Sequence, residues 1–153
     1  MNNDKTKTMQ GQNFTTTFVV NVEPSEVFET VRDVGQWWTG EPGVEGTYSK
    51  IGDEFSYRHK DIHYSRQKVT ELVTGKKIVW LVKDSKLNFI KERDEWTGTL
   101  ISFEIFRQDK KTAVRFTHAG LAPEMECYTD CSNAWSFYIN ESLRKLIETR
   151  DGR

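Results

Sequence analysis

The chain has 153 residues, 36% hydrophobic and 29% charged, with 22 Lys+Arg against 23 Asp+Glu and a net charge of -1. That length fits one domain able to bury roughly 70% of the surface its unfolded form exposes, and the balanced charge lacks the basic excess of a nucleic-acid binder. The longest apolar run, Ile78 to Val82, falls far short of the ~20 residues a membrane-spanning helix needs, and two cysteines imply no disulfide framework.

Residues 1–12 are polar, read as a disordered lead-in, and lack the apolar stretch of a signal peptide, so a cytoplasmic location is the expectation. From Phe14 the pattern alternates through Thr16, Phe18, Val20 and Val22, a strand signature. Pro24-Ser25 opens a helix with Val27, Phe28 and Val31 as its apolar stripe. A second short helix is expected over Asp33 to Trp38, ended by Gly40, Pro42, Gly43 and Gly46.

Strands are predicted next at Glu54 to His59, at His63 to Val73 and at Lys77 to Lys83, with a turn at Thr74-Gly75-Lys76. Asp84 to Glu95 reads as a charged loop, with a frayed strand around Leu87 to Ile90. Thr97 to Phe106 alternates again, and after a turn at Gln108 to Lys111 the residues Thr112, Val114, Phe116 and His118 share one face of a last strand. Glu124 to Thr149 carries apolar residues at spacings of three and four and predicts a long helix ended by Gly152. Short turns favour antiparallel pairing. A sheet with one buried face needs a cover, and only the terminal helix is long enough to supply it. The expected fold is therefore α+β: one domain over residues 13–150, a curved antiparallel sheet of six to seven strands wrapped around that helix.

Aromatic content is high, with five Trp, nine Phe and five Tyr. Trp37, Trp38, Phe55, Tyr57 and Trp80 lie on elements that face Phe116, His118, Trp135 and Tyr138 in such an architecture. They are the candidate ligand-binding residues, because rings give rigid apolar area and Trp N–H and Tyr O–H can orient a ligand; packing in a solid core is the alternative. Trp37-Trp38, beside a Gly-rich loop, are also candidates for a lid. His118 could serve as an acid or base or as a buried, hydrogen-bonded histidine fixing the strand-to-helix corner. Cys127 and Cys131 share a helix face and read as small apolar packing residues rather than zinc ligands with His118 or His63. His59, Asp61 and His63 read as a solvated hairpin end, and Glu92 to Glu95 as a solvated loop. No nucleophile-base set is recognisable, so no catalytic residue, metal or cofactor is expected and an enzyme is disfavoured.

Several segments, in order, carry a resemblance: Val22-Glu23-Pro24-Ser25-Glu26-Val27-Phe28, Gln36-Trp37-Trp38, Gly52-Asp53-Glu54-Phe55 and Ile78-Val79-Trp80. They continue with Glu95-Trp96-Thr97-Gly98-Thr99, Thr117-His118-Ala119-Gly120-Leu121 and the helix residues Cys127, Cys131, Trp135, Tyr138 and Leu143. Over residues 14–149 the chain resembles the START-like (polyketide cyclase/lipid-transport) superfamily, and within it homologues of the activator of heat shock protein 90 ATPase. The resemblance implies a helix-grip fold with a cavity between sheet and helix. The function it points to is binding of a hydrophobic or aromatic, lipid-like molecule by a monomer or weak homodimer. A cyclase- or hydrolase-type enzyme using the same cavity is the alternative, and a chaperone-regulating module with a link to stress response is the third. The eukaryotic activators carry a separate N-terminal domain for which this sequence leaves no room, so the chaperone activity is not transferred with the name.

Overall fold

The structure, a computed structural model, describes residues 13–151; the expected lead-in at residues 1–12 and the Gly152 stop lie outside the described residues. Strand β1 (Phe14–Val20) leads into helix α1 (Pro24–Arg32), with Pro24 in its first turn, and a 3-10 turn at Val34–Gln36. Six further strands follow: β2 (Pro42–Gly46), β3 (Glu54–His59), β4 (His63–Val73), β5 (Lys77–Leu87), β6 (Leu100–Gln108) and β7 (Lys111–Ala119). The C-terminal helix is built from α2 (Tyr128–Phe137), a π-helical stretch (Tyr138–Leu143) and α3 (Arg144–Asp151). All seven strands pair antiparallel in the order β1-β7-β6-β5-β4-β3-β2, and the curved sheet grips the helix on its concave face. No helix among the described residues is long and apolar enough to cross a membrane.

The alternation read from the sequence places Phe18, Val20, Phe55 and Phe103 inward, where all are buried, and Val69 and Trp80 are buried beside them. Fully burying a large apolar side chain contributes about 1.5–3 kcal/mol. Two irregularities in the β4–β5 pairing, between Arg66 and Gln67 and between Val69 and Glu71, bend the middle of the sheet. At the second, the Thr70 hydroxyl donates to the Val79 carbonyl at 3.2 Å.

Three expectations are corrected. Pro42 to Gly46, read as a loop, is a strand; it lies at the sheet's edge, where a missing N–H costs no ladder bond. The strand from Lys77 runs on to Leu87, because the bulge at Lys83 shifts the phase of the alternation from Ile78, Trp80 and Val82 to Ser85 and Leu87, which face inward while Lys86 faces out. The terminal helix begins at Tyr128, not Glu124; residues 123–127 form turns held by hydrogen bonds such as Met125 N to Ala122 O.

The π-helical stretch has a cause in the sequence. Cys131, Trp135, Ile139, Leu143 and Ile147 are all buried and stand four residues apart throughout. In a helix of 3.6 residues per turn that spacing drifts ~40° per step, about 160° over the four steps. The wider π turn, in the middle of the run, rotates less per residue and returns the stripe to the sheet.

Candidate small-molecule cavity

All five tryptophans are buried, and their rings form one connected cluster. Trp38 is its hub: it stacks on Tyr57 at 4.2 Å and an interplanar angle of 5°, and lies 5.0 Å from Trp135 and 6.1 Å from Trp80. Trp37 turns the other way, towards Trp80 and Phe103, and its Nε1–H donates to the Val31 carbonyl at 3.0 Å. The dipeptide is therefore built into the core and does not form a surface lid.

His118 links helix to sheet through a run of donors with one consistent direction. An indole N–H can only donate, so Trp135 Nε1–H, 3.0 Å from His118 Nδ1, requires that nitrogen to be an unprotonated acceptor. The proton then resides on Nε2, which donates to Thr99 Oγ1 at 2.8 Å, and the Thr99 hydroxyl donates to the Trp96 carbonyl at 2.5 Å. Burial, with His63 nearby, lowers the His118 pKa to about 3. Both ring nitrogens are occupied inside the core, which is the fixing role; no proton is free for a substrate.

Beside this cluster lies a cavity of about 360 Å³. Its walls are the rings of Trp38, Trp96, Trp135, Tyr57 and Tyr138, with His59 and His63 at the hairpin end of β3 and β4 and Cys131 on the helix. The mouth is formed by Ile62, Phe89, Asp130 and Ala134; the apolar side chains of Ile62 and Phe89 are 47% and 39% exposed there. Burial, with His59 next to it, lowers the His63 pKa to about 3, so this ring is neutral; its Nε2 lies 3.3 Å from Ser65 Oγ. The Nδ1 of His59 is buried without a hydrogen-bond partner. These two histidines, expected at a solvated hairpin end, instead face the cavity, while Asp61 between them is exposed.

One end of the cavity is closed by a tyrosine latch. The hydroxyls of Tyr57 and Tyr138 each approach the Thr39 carbonyl at 2.8 Å and each other at 3.1 Å. Burial and the Tyr138 hydroxyl push the Tyr57 phenol well above its usual range. Gly40 allows this approach: a Cβ there would stand 2.8 Å from the Arg58 carbonyl and 2.9 Å from the Tyr57 hydroxyl.

Trp96 did not figure among the sequence candidates, yet it is central. It stacks on Trp135 at 5.7 Å and 12° and meets His63 and His118 edge-on at 4.6 and 4.7 Å. Its buried Nε1–H has no hydrogen-bond partner among the described residues. The hydrogen bond with Cys131, then burial, push the Cys127 thiol up, and both cysteines are free and buried. The loop that carries Trp96 is tied to the start of α2 by exchanged carboxylates. Glu95 accepts from the backbone N–H of Glu126 and Cys127 at 2.8 and 3.1 Å, and Glu126 accepts from those of Lys91 and Glu92 at 3.0 and 3.2 Å. Glu95 is thus a structural clamp, not part of a merely solvated loop.

Of the nine predicted ligand-binding residues, Trp38, Tyr57, Trp135 and Tyr138 line the cavity. Trp37, Phe55, Trp80, Phe116 and His118 pack behind those walls as fully buried core. The signal for Trp96 was its isolation, a single large ring among Asp94, Glu95, Thr97 and Gly98. Among the described residues, no group of three or more His, Cys, Asp or Glu is arranged to hold a metal ion.

A seven-stranded sheet closed on a C-terminal helix, with a cavity between them, defines a helix-grip domain. The chain belongs to the family described as Activator of Hsp90 ATPase homolog 1-like protein, whose model matches residues 21–148. No curated protein is matched by the sequence. Among solved structures, the Aha1 dimer from Colwellia psychrerythraea is 21% identical over 84% of this chain and 90% of its own, with a TM-score of 0.65. Protein MLL2253 from Mesorhizobium loti is 13% identical over 92% and 99%, with a TM-score of 0.72. CalU16 from Micromonospora echinospora is 8% identical over 87% and 73%, with a TM-score of 0.60. At these identities the likeness concerns the fold.

Proposed function

We propose that the chain binds a hydrophobic or aromatic small molecule in the cavity between the β3–β4 hairpin, the Trp96 loop and the C-terminal helix. The observation that carries this reading is the wall itself: three indoles and two phenols around about 360 Å³, opening between two exposed apolar side chains. That volume lies within the ~300–1,000 Å³ of small-molecule sites, and mostly apolar walls with a few polar groups are their usual composition. An enzyme using His118 as acid or base is disfavoured, because both nitrogens are engaged inside the core.

The test is a thermal-shift screen of lipids and flat aromatic compounds against the native chain and the Ala134→Trp variant. Ala134 is exposed at the mouth, so a larger side chain there fills the entrance without disturbing the core. A ligand at 100 times its dissociation constant stabilises the native chain by about 2.7 kcal/mol, and the variant, equally folded, shows no shift. If no compound shifts the native chain, the cavity reading fails. The outer surface, and the chaperone contact that the family's name suggests, would then be the place to look.

A further inference from the structure

We infer that the cavity selects an organic cation, such as a flat aromatic amine, over a carboxylate of the same size. The inference rests on the small-molecule reading above and adds the sign of the ligand's charge. Among the residues that line the cavity, Asp130 at the mouth is the only one with a formal charge; no Lys or Arg is present to meet an anion.

The walls point the same way. Trp38, Trp96, Trp135, Tyr57 and Tyr138 line the same space, and any ring face there that the Trp38–Tyr57 stack leaves uncovered attracts a cation and repels an anion. A buried carboxylate with neither a cation nor several N–H donors would forfeit its hydration without return. The polar groups at the hairpin end can receive a proton donor. His63 is held neutral, and the buried Nδ1 of His59 lacks a partner and accepts an N–H when that ring carries its proton on Nε2. The positive end of α2 does not reverse this balance. The carboxylate of Glu95, bound to the Glu126 and Cys127 N–H groups just ahead of the helix, and Asp130 in its first turn place two formal negative charges against the ~0.5 of a helix end.

Three probes share one ring system and differ in charge: 1-naphthylmethylammonium, 1-naphthalenemethanol and 1-naphthoate. Calorimetric titration of each into the native chain at pH 7.5 and low salt should rank the ammonium tightest and the carboxylate weakest. The ammonium should lead the alcohol by about fivefold to tenfold, the scale of a partly desolvated cation–π contact. Asp130→Asn, an exposed change whose melting curve confirms folding, should cut that lead at least twofold. Ala134→Trp should abolish binding of every probe that binds, placing it in the cavity. Equal affinities, a carboxylate as tight as the ammonium, or a lead untouched by Asp130→Asn overturns the charge inference while alcohol binding keeps the cavity reading. Absence of binding by all three overturns the charge inference, and the lipid and aromatic screen then decides the cavity reading on its own.

Discussion

Trp135 on the C-terminal helix donates its indole N–H to His118 Nδ1 on β7 at 3.0 Å, and this bond fixes the tautomer of a fully buried histidine. The 15N spectrum at pH 7 should show an unprotonated Nδ1 and a protonated Nε2. Trp135→Phe keeps an aromatic ring but leaves Nδ1 buried without a donor, and should cost about 1–3 kcal/mol in urea denaturation. Trp135→Ala also removes the packing and should cost about 3–5 kcal/mol. A Phe variant as stable as the native chain would show that the bond contributes nothing.

The same burial makes stability depend on acid. His63 and His118 have pKa values lowered to about 3 in the folded chain, against ~6.5 when unfolded. Between those values the unfolded chain binds more protons, so folding stability rises with pH there. It is fully present above about pH 6.5 and is lost as pH falls towards 3, at up to ~1.4 kcal/mol per pH unit for each histidine. Urea midpoints measured from pH 7.5 to 4 should fall in this way. A flat profile would mean that both rings titrate in the folded chain as they do in the unfolded one.

Glu95 accepts from the backbone N–H groups of Glu126 and Cys127, just ahead of α2, while its neighbour Trp96 enters the core. Glu95→Ala should cost about 1–2 kcal/mol, the scale of losing hydrogen bonds to a charged acceptor. It should also loosen the loop at residues 88–99, weakening the near-ultraviolet circular dichroism of the stacked tryptophans. Glu95→Gln, which keeps an acceptor oxygen, should recover part of both. Unchanged spectra and stability in the Ala variant would remove the clamp from the account.

Most of the fold was legible in two periodicities. The strand over His63 to Val73 has the bounds expected of it, because Thr74-Gly75-Lys76 marks its end as a turn, where Gly75 has a positive φ of 73°. The far half of β5 was obscured because small, polar Ser85 holds an inward position between Asp84 and Lys86. The edge strand at Pro42 was obscured because local residue preference describes the interior of a sheet better than its rim. At the site, sequence identified the apolar surface but could not separate cavity wall from core. Phe116 and Tyr57 both lie on inward faces of the sheet, and only the tertiary packing puts one behind the wall and the other in it. His59 and His63 were hidden for a related reason, since a hairpin end normally meets water and here the Trp96 loop covers it.

The central claim is that a ligand enters between Trp38, Trp96 and Trp135, leaving Trp37 and Trp80 behind the wall. The five indole N–H signals of a 15N-labelled chain report this directly, because each tryptophan gives one peak. On titration with 1-naphthalenemethanol or a ligand from the screen, the peaks of Trp38, Trp96 and Trp135 should move together and saturably, while those of Trp37 and Trp80 stay nearly in place. Indole peaks that do not respond to a bound ligand, or shifts led by Trp37 and Trp80, would contradict it.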